Sequence, residues 1–233
     1  MDELIRTTAA WGLSLTPAQI SQFAAYAAEL RAWNERINLT AITDEREIVT
    51  RHFLDSLRLA LSWGDSPESL VDIGSGAGFP GLPLKILRPQ LRLTLVESVG
   101  KKAAFLKHLS SLLGLDEVVV LTARAEQVGR DPQHREQYDV ATARAVAELR
   151  VLAEYCLPLC RVGGRALAPK GAQIDDEVQR AQRAVELLGG RIAAVEPVDL
   201  PGVEPRTLVV LEKIAPTPPA YPRAVSVPAR RPL

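Results

Sequence analysis

Hydrophobic and polar residues follow one spacing in the first quarter of the chain and another after it. In residues 1–62, apolar residues recur every three or four positions, which is typical of amphipathic helices. One such apolar face consists of Ile20, Phe23, Ala27, Leu30 and Trp33. A capping-box spacing from Thr16 to Gln19, with Pro17 at the first helical position, predicts where this helix begins. A second helix is predicted after Thr43, so we expect a small helical N-terminal segment over 1–62.

From residue 69 onwards, short apolar runs alternate with helical patterns. Strands are predicted at 70–73, 93–96, 118–121, 140–142 and 166–168, and helices at 82–88, 100–114, 146–157 and 174–188. Alternating strands and helices predict parallel pairing in a doubly wound α/β sheet. Two further strands, 191–197 and 206–212, have no long helix between them and predict an antiparallel hairpin at the sheet edge. The sheet should therefore have seven strands, in a domain that spans 63–213.

The last twenty residues differ in composition from the rest of the chain. Residues 214–233 contain six prolines, three arginines and no acidic residue. This composition predicts a Pro/Arg-rich C-terminal tail that is extended and does not pack as an element of the fold.

Charge and cysteine content narrow the class of protein. The chain has 28 Lys+Arg and 28 Asp+Glu, so its net charge of zero excludes a polycationic nucleic-acid coat protein, although it allows a local basic face. Its start lacks the basic-then-apolar order of a signal peptide, and no apolar run reaches the roughly 18 residues of a membrane span. The two cysteines exclude a disulfide framework and cannot alone form a zinc site. We expect a cytoplasmic monomer without a metal or a membrane partner.

A glycine-rich loop after the first predicted strand is the main chemical signal. Asp72, Gly74, Gly76 and Gly78 complete the spacing D-x-G-x-G-x-G at the end of a parallel strand, where open α/β sheets bind ligands. The dinucleotide spacing G-x-G-x-x-G would need glycine at position 79, which is Phe79. The loop therefore favours S-adenosylmethionine over NAD, because Asp72 can compensate the positive charges of the former.

Two side chains near this loop are further candidates for binding a nucleoside cofactor. Glu97 ends the next strand, where its carboxylate can accept hydrogen bonds from both ribose hydroxyls. Phe79 has two possible roles: an apolar wall that stacks on a base, or a core residue.

Several segments resemble the RsmG (glucose-inhibited division protein B) methyltransferases. The similarity covers roughly residues 30 to 213, and its most specific part is the loop with its trailing Pro-Gly-Leu-Pro. The matching segments are Gly74–Pro83, Glu97–Lys102 with Phe105-Leu106, Ala143-Arg144-Ala145, Pro169-Lys170-Gly171, Asn38-Leu39-Thr40 and His52–Ser56. The resemblance implies a Rossmann-like class I methyltransferase fold that uses S-adenosylmethionine to methylate guanine N7 at position 527 of 16S ribosomal RNA, free or in the small ribosomal subunit.

The resemblance also implies which residues contact the cofactor. By position these are Gly74, Phe79, Glu97, Ser98, Ala125, Glu126 and Arg144. In the tail, Ala224-Val225-Ser226 stands where the family pattern has an Ala-Gly pair.

The residues that could catalyse the reaction are few. The chain has no obvious general base, and guanine N7 needs none because it carries a lone pair and no proton. Alignment of the reactants alone can lower a barrier by roughly 7–11 kcal/mol. Arg144 and then Lys170 are the candidate catalytic residues, because each ends a strand at the ligand-bearing edge and can contact RNA phosphates. The alternative is a non-catalytic module that senses S-adenosylmethionine and binds RNA or protein.

Overall fold

A computed structural model describes residues 1–63 and 67–233 and contains one seven-stranded sheet. The strands are β1 Ser69–Ile73, β2 Arg92–Val96, β3 Val118–Leu121, β4 Tyr138–Ala143, β5 Cys160–Gly171, β6 Gly190–Val198 and β7 Arg206–Lys213. They lie in the order β3-β2-β1-β4-β5-β7-β6. The first five run parallel, whereas β7 is antiparallel to both β5 and β6. The predicted doubly wound α/β sheet is confirmed, as is the hairpin, with β6 at the edge.

Helices cover both faces of this sheet. They are α1 Asp2–Ala10, α2 Pro17–Asn34, α3 Glu45–Glu47, α4 Asp55–Leu57, α5 Gly81–Leu87, α6 Gly100–Leu112, α7 Ala125–Val128, α8 Leu149–Cys156, α9 Asp175–Leu187 and α10 Val227–Arg230. The predicted capping box is present, since Thr16 and Gln19 exchange side-chain-to-backbone hydrogen bonds of 3.3 and 2.8 Å. Among the described residues, no helix is both long and apolar enough to cross a bilayer.

The segment between α3 and α4 is a π-helix, Ile48–Leu54, and a 3-10 helix, Arg58–Leu61, follows α4. The sequence pattern predicted a helix here but not its π geometry. A π-helix is rare, and it is found frequently at functional sites. In this chain it carries Arg51 and His52, which take part in the site described below.

Two buried clusters hold the layers together. One cluster joins the helical segment to the sheet, since Phe23 and Phe53 pack in the same core as Leu95 and Phe105. The other lies under α8 and α9 on the opposite face, around Leu152 and Val185. The boundary predicted after residue 62 lies beside residues 64–66, which are outside the described residues.

The prediction that residues 214–233 do not pack is wrong. Arg135 donates to the carbonyl oxygens of Thr217 and Tyr221, at 2.7 Å each, and Arg130 donates to the carbonyl oxygen of Pro222 at 2.7 Å. A proline-rich segment lacks N–H donors but keeps its carbonyl acceptors. Arginines on the body of the protein satisfy these acceptors, and composition alone does not reveal such partners.

Candidate active site

The glycine loop joins β1 to α5 at the carboxyl edge of the sheet. Its backbone bends back on β2, since the amides of Gly74 and Ser75 both donate to the Val96 carbonyl oxygen, at 2.8 and 3.1 Å. Gly76 has a φ of 58°, a left-handed conformation that disfavours any side chain. At Gly78, an added Cβ would lie 2.5 Å from Leu82 Cδ1. Glycine is therefore required at Gly76 by the backbone conformation and at Gly78 by packing against Leu82.

Glu97 connects this loop to the next strand. Its Oε2 accepts from the Gly76 amide at 2.9 Å, and its Oε1 accepts from the Val99 amide at 2.7 Å. A carboxylate has about four acceptor positions, so each oxygen can accept one more hydrogen bond. The predicted role of Glu97 in binding the ribose hydroxyls stays a prediction, and it would use these remaining acceptor positions.

Asp72 lies beneath the loop and is completely buried. Its Oδ2 accepts from the Gly81 amide at 3.1 Å, whereas its Oδ1 is buried without a hydrogen-bond partner. Burial raises the pKa of Asp72 to about 7, against the opposing effects of the Gly81 amide and Arg144. A nearby cation would favour the ionised carboxylate. The unpaired oxygen therefore fits a cofactor that carries a sulfonium and an ammonium group.

A cleft of about 270 Å³ opens beside the loop. Its walls include four of the predicted cofactor residues, Gly74, Ser98, Ala125 and Glu126. The sequence analysis did not identify the other wall, which includes Tyr155 from α8 with Ser226 and Ala229. Among the described residues, no group of three His, Cys, Asp or Glu side chains is placed to hold a metal ion.

Arg144 follows the end of β4 and contacts the helical N-terminal segment. Its Nη1 donates to Asp55 Oδ2 at 2.7 Å and to the Arg51 carbonyl oxygen at 3.3 Å. Its Nη2 lies 3.3 Å from His52 Nδ1, and its guanidinium carbon lies 5.0 Å from the Phe79 ring centroid. The π-helix therefore determines where the guanidinium lies, next to the glycine loop.

Phe79 lies within a stack of three aromatic rings. Its ring centroid is 5.1 Å from that of Tyr26 and 4.4 Å from that of His52, at interplanar angles of 3° and 19°. The Tyr26 hydroxyl donates to the Ala77 carbonyl oxygen at 2.6 Å, which fixes the stack against the loop. Of the two roles considered for Phe79, the structure therefore shows the buried one.

His52 is held neutral within this stack. Burial, and then the positive charge of Arg144, lower its pKa to about 3. Because Nδ1 faces a guanidinium donor, the proton lies on Nε2, which donates to Thr40 Oγ1 at 2.9 Å. No pattern in the sequence indicated a role for Tyr26, whereas His52 and Asp55 lie in the segment His52–Ser56 that resembles the family.

Lys170 lies at the same edge of the sheet, near the end of β5. Its ammonium donates to the Ala147 carbonyl oxygen and to Glu177 Oε1, both at 2.6 Å. An ammonium has three donors, so these two contacts leave one for another group. Lys170 thus supports the turn that follows Arg144.

The amino-acid sequence matches a protein-family model and the sequences of known proteins. The family model described as rRNA small subunit methyltransferase G (GidB) matches residues 19–201. The chain is 75% identical to the ribosomal RNA small subunit methyltransferase G of Roseiflexus sp. (strain RS-1) and 72% identical to that of Roseiflexus castenholzii (strain DSM 13941 / HLO8). Both alignments span 100% of this chain and 100% of the relative.

A solved structure shares the fold. The match to the crystal structure of M. jannaschii TYW2 in complex with AdoMet covers 70% of this chain and 76% of the TYW2 chain, with a TM-score of 0.53 and 16% sequence identity.

Proposed function

The chain belongs to the rRNA small subunit methyltransferase G family, and from this membership we propose that it transfers a methyl group from S-adenosylmethionine to N7 of guanine 527 in 16S ribosomal RNA. The observation that carries the proposal is the glycine loop with the buried, unpaired Asp72 Oδ1 beneath it. We further propose that the protein acts in the cytoplasm as a monomer, on 16S RNA or on the small subunit.

The cofactor, when bound, supplies an electrophilic methyl group on a positively charged sulfur. Asp72 would compensate the positive charge, and Glu97 would accept hydrogen bonds from the ribose hydroxyls. Ser98, Ala125 and Glu126 would enclose the nucleoside, because they line the cleft beside the loop. The hydrogen bond from the Gly76 amide to Glu97 holds the loop next to the proposed ribose-binding carboxylate.

The acceptor side needs orientation more than proton transfer. Guanine N7 carries a lone pair and no proton, so the protein must align that lone pair with the methyl group and exclude water. Arg144 is our first candidate for holding the acceptor, because its position is fixed by Asp55 and His52 and its guanidinium has five donors. Lys170 is the second candidate, through its remaining N–H donor. His52 is not a general base in this scheme, since both ring nitrogens are engaged.

The experiment is transfer of labelled methyl from S-adenosylmethionine to naked 16S RNA and to small subunits, both from cells that lack this protein, followed by mapping of 7-methylguanine. We expect label at one guanine, position 527. Label at another atom or site would contradict the assigned acceptor. Cofactor binding without label on either substrate would favour the non-catalytic module, and absence of cofactor binding would contradict the role of the glycine loop.

A further inference from the structure

The segment Tyr221–Leu233, here named the strap, contributes residues to the cleft beside the glycine loop. Ser226 and Ala229 line the cleft together with Gly74 and Glu126, although 100 to 155 residues separate the two groups in the chain. The strap includes the short helix α10, which begins directly after Ser226. It is therefore part of the pocket wall.

Buried charge anchors the strap at its first residues. Arg223 donates from Nη2 to Glu154 Oε2 at 2.6 Å, and its own amide donates to Glu154 Oε1 at 2.7 Å. The Glu154 side chain is only 1% exposed, so this ion pair is largely shielded from water. Loss of one partner from such a pair leaves an uncompensated buried charge. This anchor favours a strap that stays docked on α8.

Close packing supports the same conclusion on the side of α7. A Cβ added to Gly129, the residue that follows α7, would lie 2.9 Å from Pro222 Cγ. The Pro222 carbonyl oxygen accepts from Arg130 Nε at 2.7 Å. The strap thus fits against two elements, α7 and α8, whose residues form the cleft.

Glu126 links the strap to the pocket. The residue is buried, and its Oε1 accepts from the Ser226 amide at 2.8 Å. Tyr155 lines the same cleft, and burial together with the charges of Glu126 and Glu154 raises its pKa to about 12. Ser226 donates from a left-handed conformation, with a φ of 67°. The Glu126 carboxylate is therefore oriented by a backbone donor from the strap.

We propose that the strap completes the nucleoside pocket, with Ser226 as a positioning residue that orients Glu126 and Ala229 as the residue that sets the free space opposite the loop. The inference rests on the proposed function, because it takes the cleft to be the S-adenosylmethionine site. Substitutions at these two positions should change cofactor affinity while the sheet and the RNA-facing residues stay intact.

The test is calorimetric titration with S-adenosylhomocysteine, the stable product of the transfer, in two matched pairs of variants. Ser226→Pro removes the amide donor and the left-handed conformation, whereas Ser226→Gly keeps both. Ala229→Trp fills the cleft, whereas Ala220→Trp makes the same change at an exposed position outside it. Ser226→Pro should weaken binding roughly tenfold or more, because Glu126 loses the donor that orients its carboxylate.

We expect Ala229→Trp also to lose affinity and both control variants to bind like the wild type. Thermal unfolding of all four variants checks that each is folded, and rescue by Ser226→Gly separates positioning from a general loss of structure. Wild-type affinity in both Ser226→Pro and Ala229→Trp would overturn the inference. If the wild type itself does not bind S-adenosylhomocysteine, the proposed function fails instead.

Discussion

Arg144 and Asp55 form an ion pair across the two parts of the protein, with Nη1 2.7 Å from Oδ2. The Asp55 side chain is only 4% exposed, and its other oxygen lies 3.5 Å from Arg206 Nε. One buried carboxylate therefore joins the end of β4 and the beginning of β7 to the helical N-terminal segment. The acceptor side that we propose would consequently be built from both parts, with the helical segment orienting Arg144.

Arg144→Ala should separate methyl transfer from cofactor binding. The guanidinium contacts the helical segment, whereas other residues line the cleft, so we expect affinity for S-adenosylhomocysteine to stay within a few-fold of the wild type. Transfer to the small subunit should fall by roughly tenfold or more, because alignment of the acceptor is lost. Single-turnover transfer and calorimetry measure the two effects.

Arg161→Ala is the matched control for this change. Arg161 also pairs with a carboxylate next to β4, since its Nε lies 2.6 Å from Asp139 Oδ1, but that pair is at the amino end of the strand. It should leave both affinity and transfer near wild type. Full transfer activity in Arg144→Ala would remove Arg144 from the acceptor site.

Gly76→Val should abolish cofactor binding. The left-handed φ of 58° is strained for a β-branched residue, and the Gly76 amide must reach Glu97 Oε2. Gly114→Val provides the control, because Gly114 has a φ of 61° and open space around an added Cβ after α6. Both variants should lose about 1–3 kcal/mol of stability from backbone strain, but only Gly76→Val should lose affinity. Retained affinity in that variant would count against the loop as the binding element.

The strands and the loop could be predicted from the sequence because their signals are local. All seven strand predictions overlap the observed strands, and the spacing from Asp72 to Gly78 located the loop at the correct edge of the sheet. Such patterns depend on backbone periodicity and on glycine conformations, which neighbouring residues specify.

The aromatic stack and the strap could not be predicted in the same way. Tyr26, His52 and Phe79 come together from α2, the π-helix and the glycine loop, so their contacts depend on how these elements pack. The composition of the strap predicted an extended tail. Its packing could not be predicted, because the acceptor Glu154 and the donors Arg130 and Arg135 lie far away in the chain. Nothing local to either partner marks such a contact.

The free energy of unfolding of the cofactor-free protein should depend on pH through the titration of Asp72. Its folded pKa of about 7 lies above the value of 3.8 for an unfolded chain, so the folded state binds the extra proton between these values. Stability should therefore fall as the pH rises from about 4 to about 7 relative to Asp72→Asn. Urea unfolding across this range measures the difference between the two proteins.

Asp72 should also make cofactor affinity depend on pH. Ionised Asp72 attracts the cationic cofactor, so the affinity for S-adenosylmethionine should increase as the pH rises through about 7. Asp72→Asn is the control, because any titration of the cofactor itself affects the affinity of both proteins equally. If the affinity ratio of the two proteins is constant with pH, Asp72 does not sense the cofactor charge.

His52 should make the free energy of unfolding depend on pH in the direction opposite to that of Asp72. Its folded pKa of about 3 lies below the unfolded value of 6.5, so the unfolded state binds the extra proton between these values. The contribution of His52 to stability is complete above about pH 6.5 and is lost as the pH falls towards 3. Relative to His52→Gln, the wild type should thus lose up to about 1.4 kcal/mol per pH unit in urea unfolding below pH 6. Nitrogen-15 NMR should show a neutral ring with the proton on Nε2, because Nδ1 faces Arg144 at 3.3 Å. Parallel stability curves for the two proteins, or a protonated ring at pH 5, would show that the stack does not hold His52 neutral.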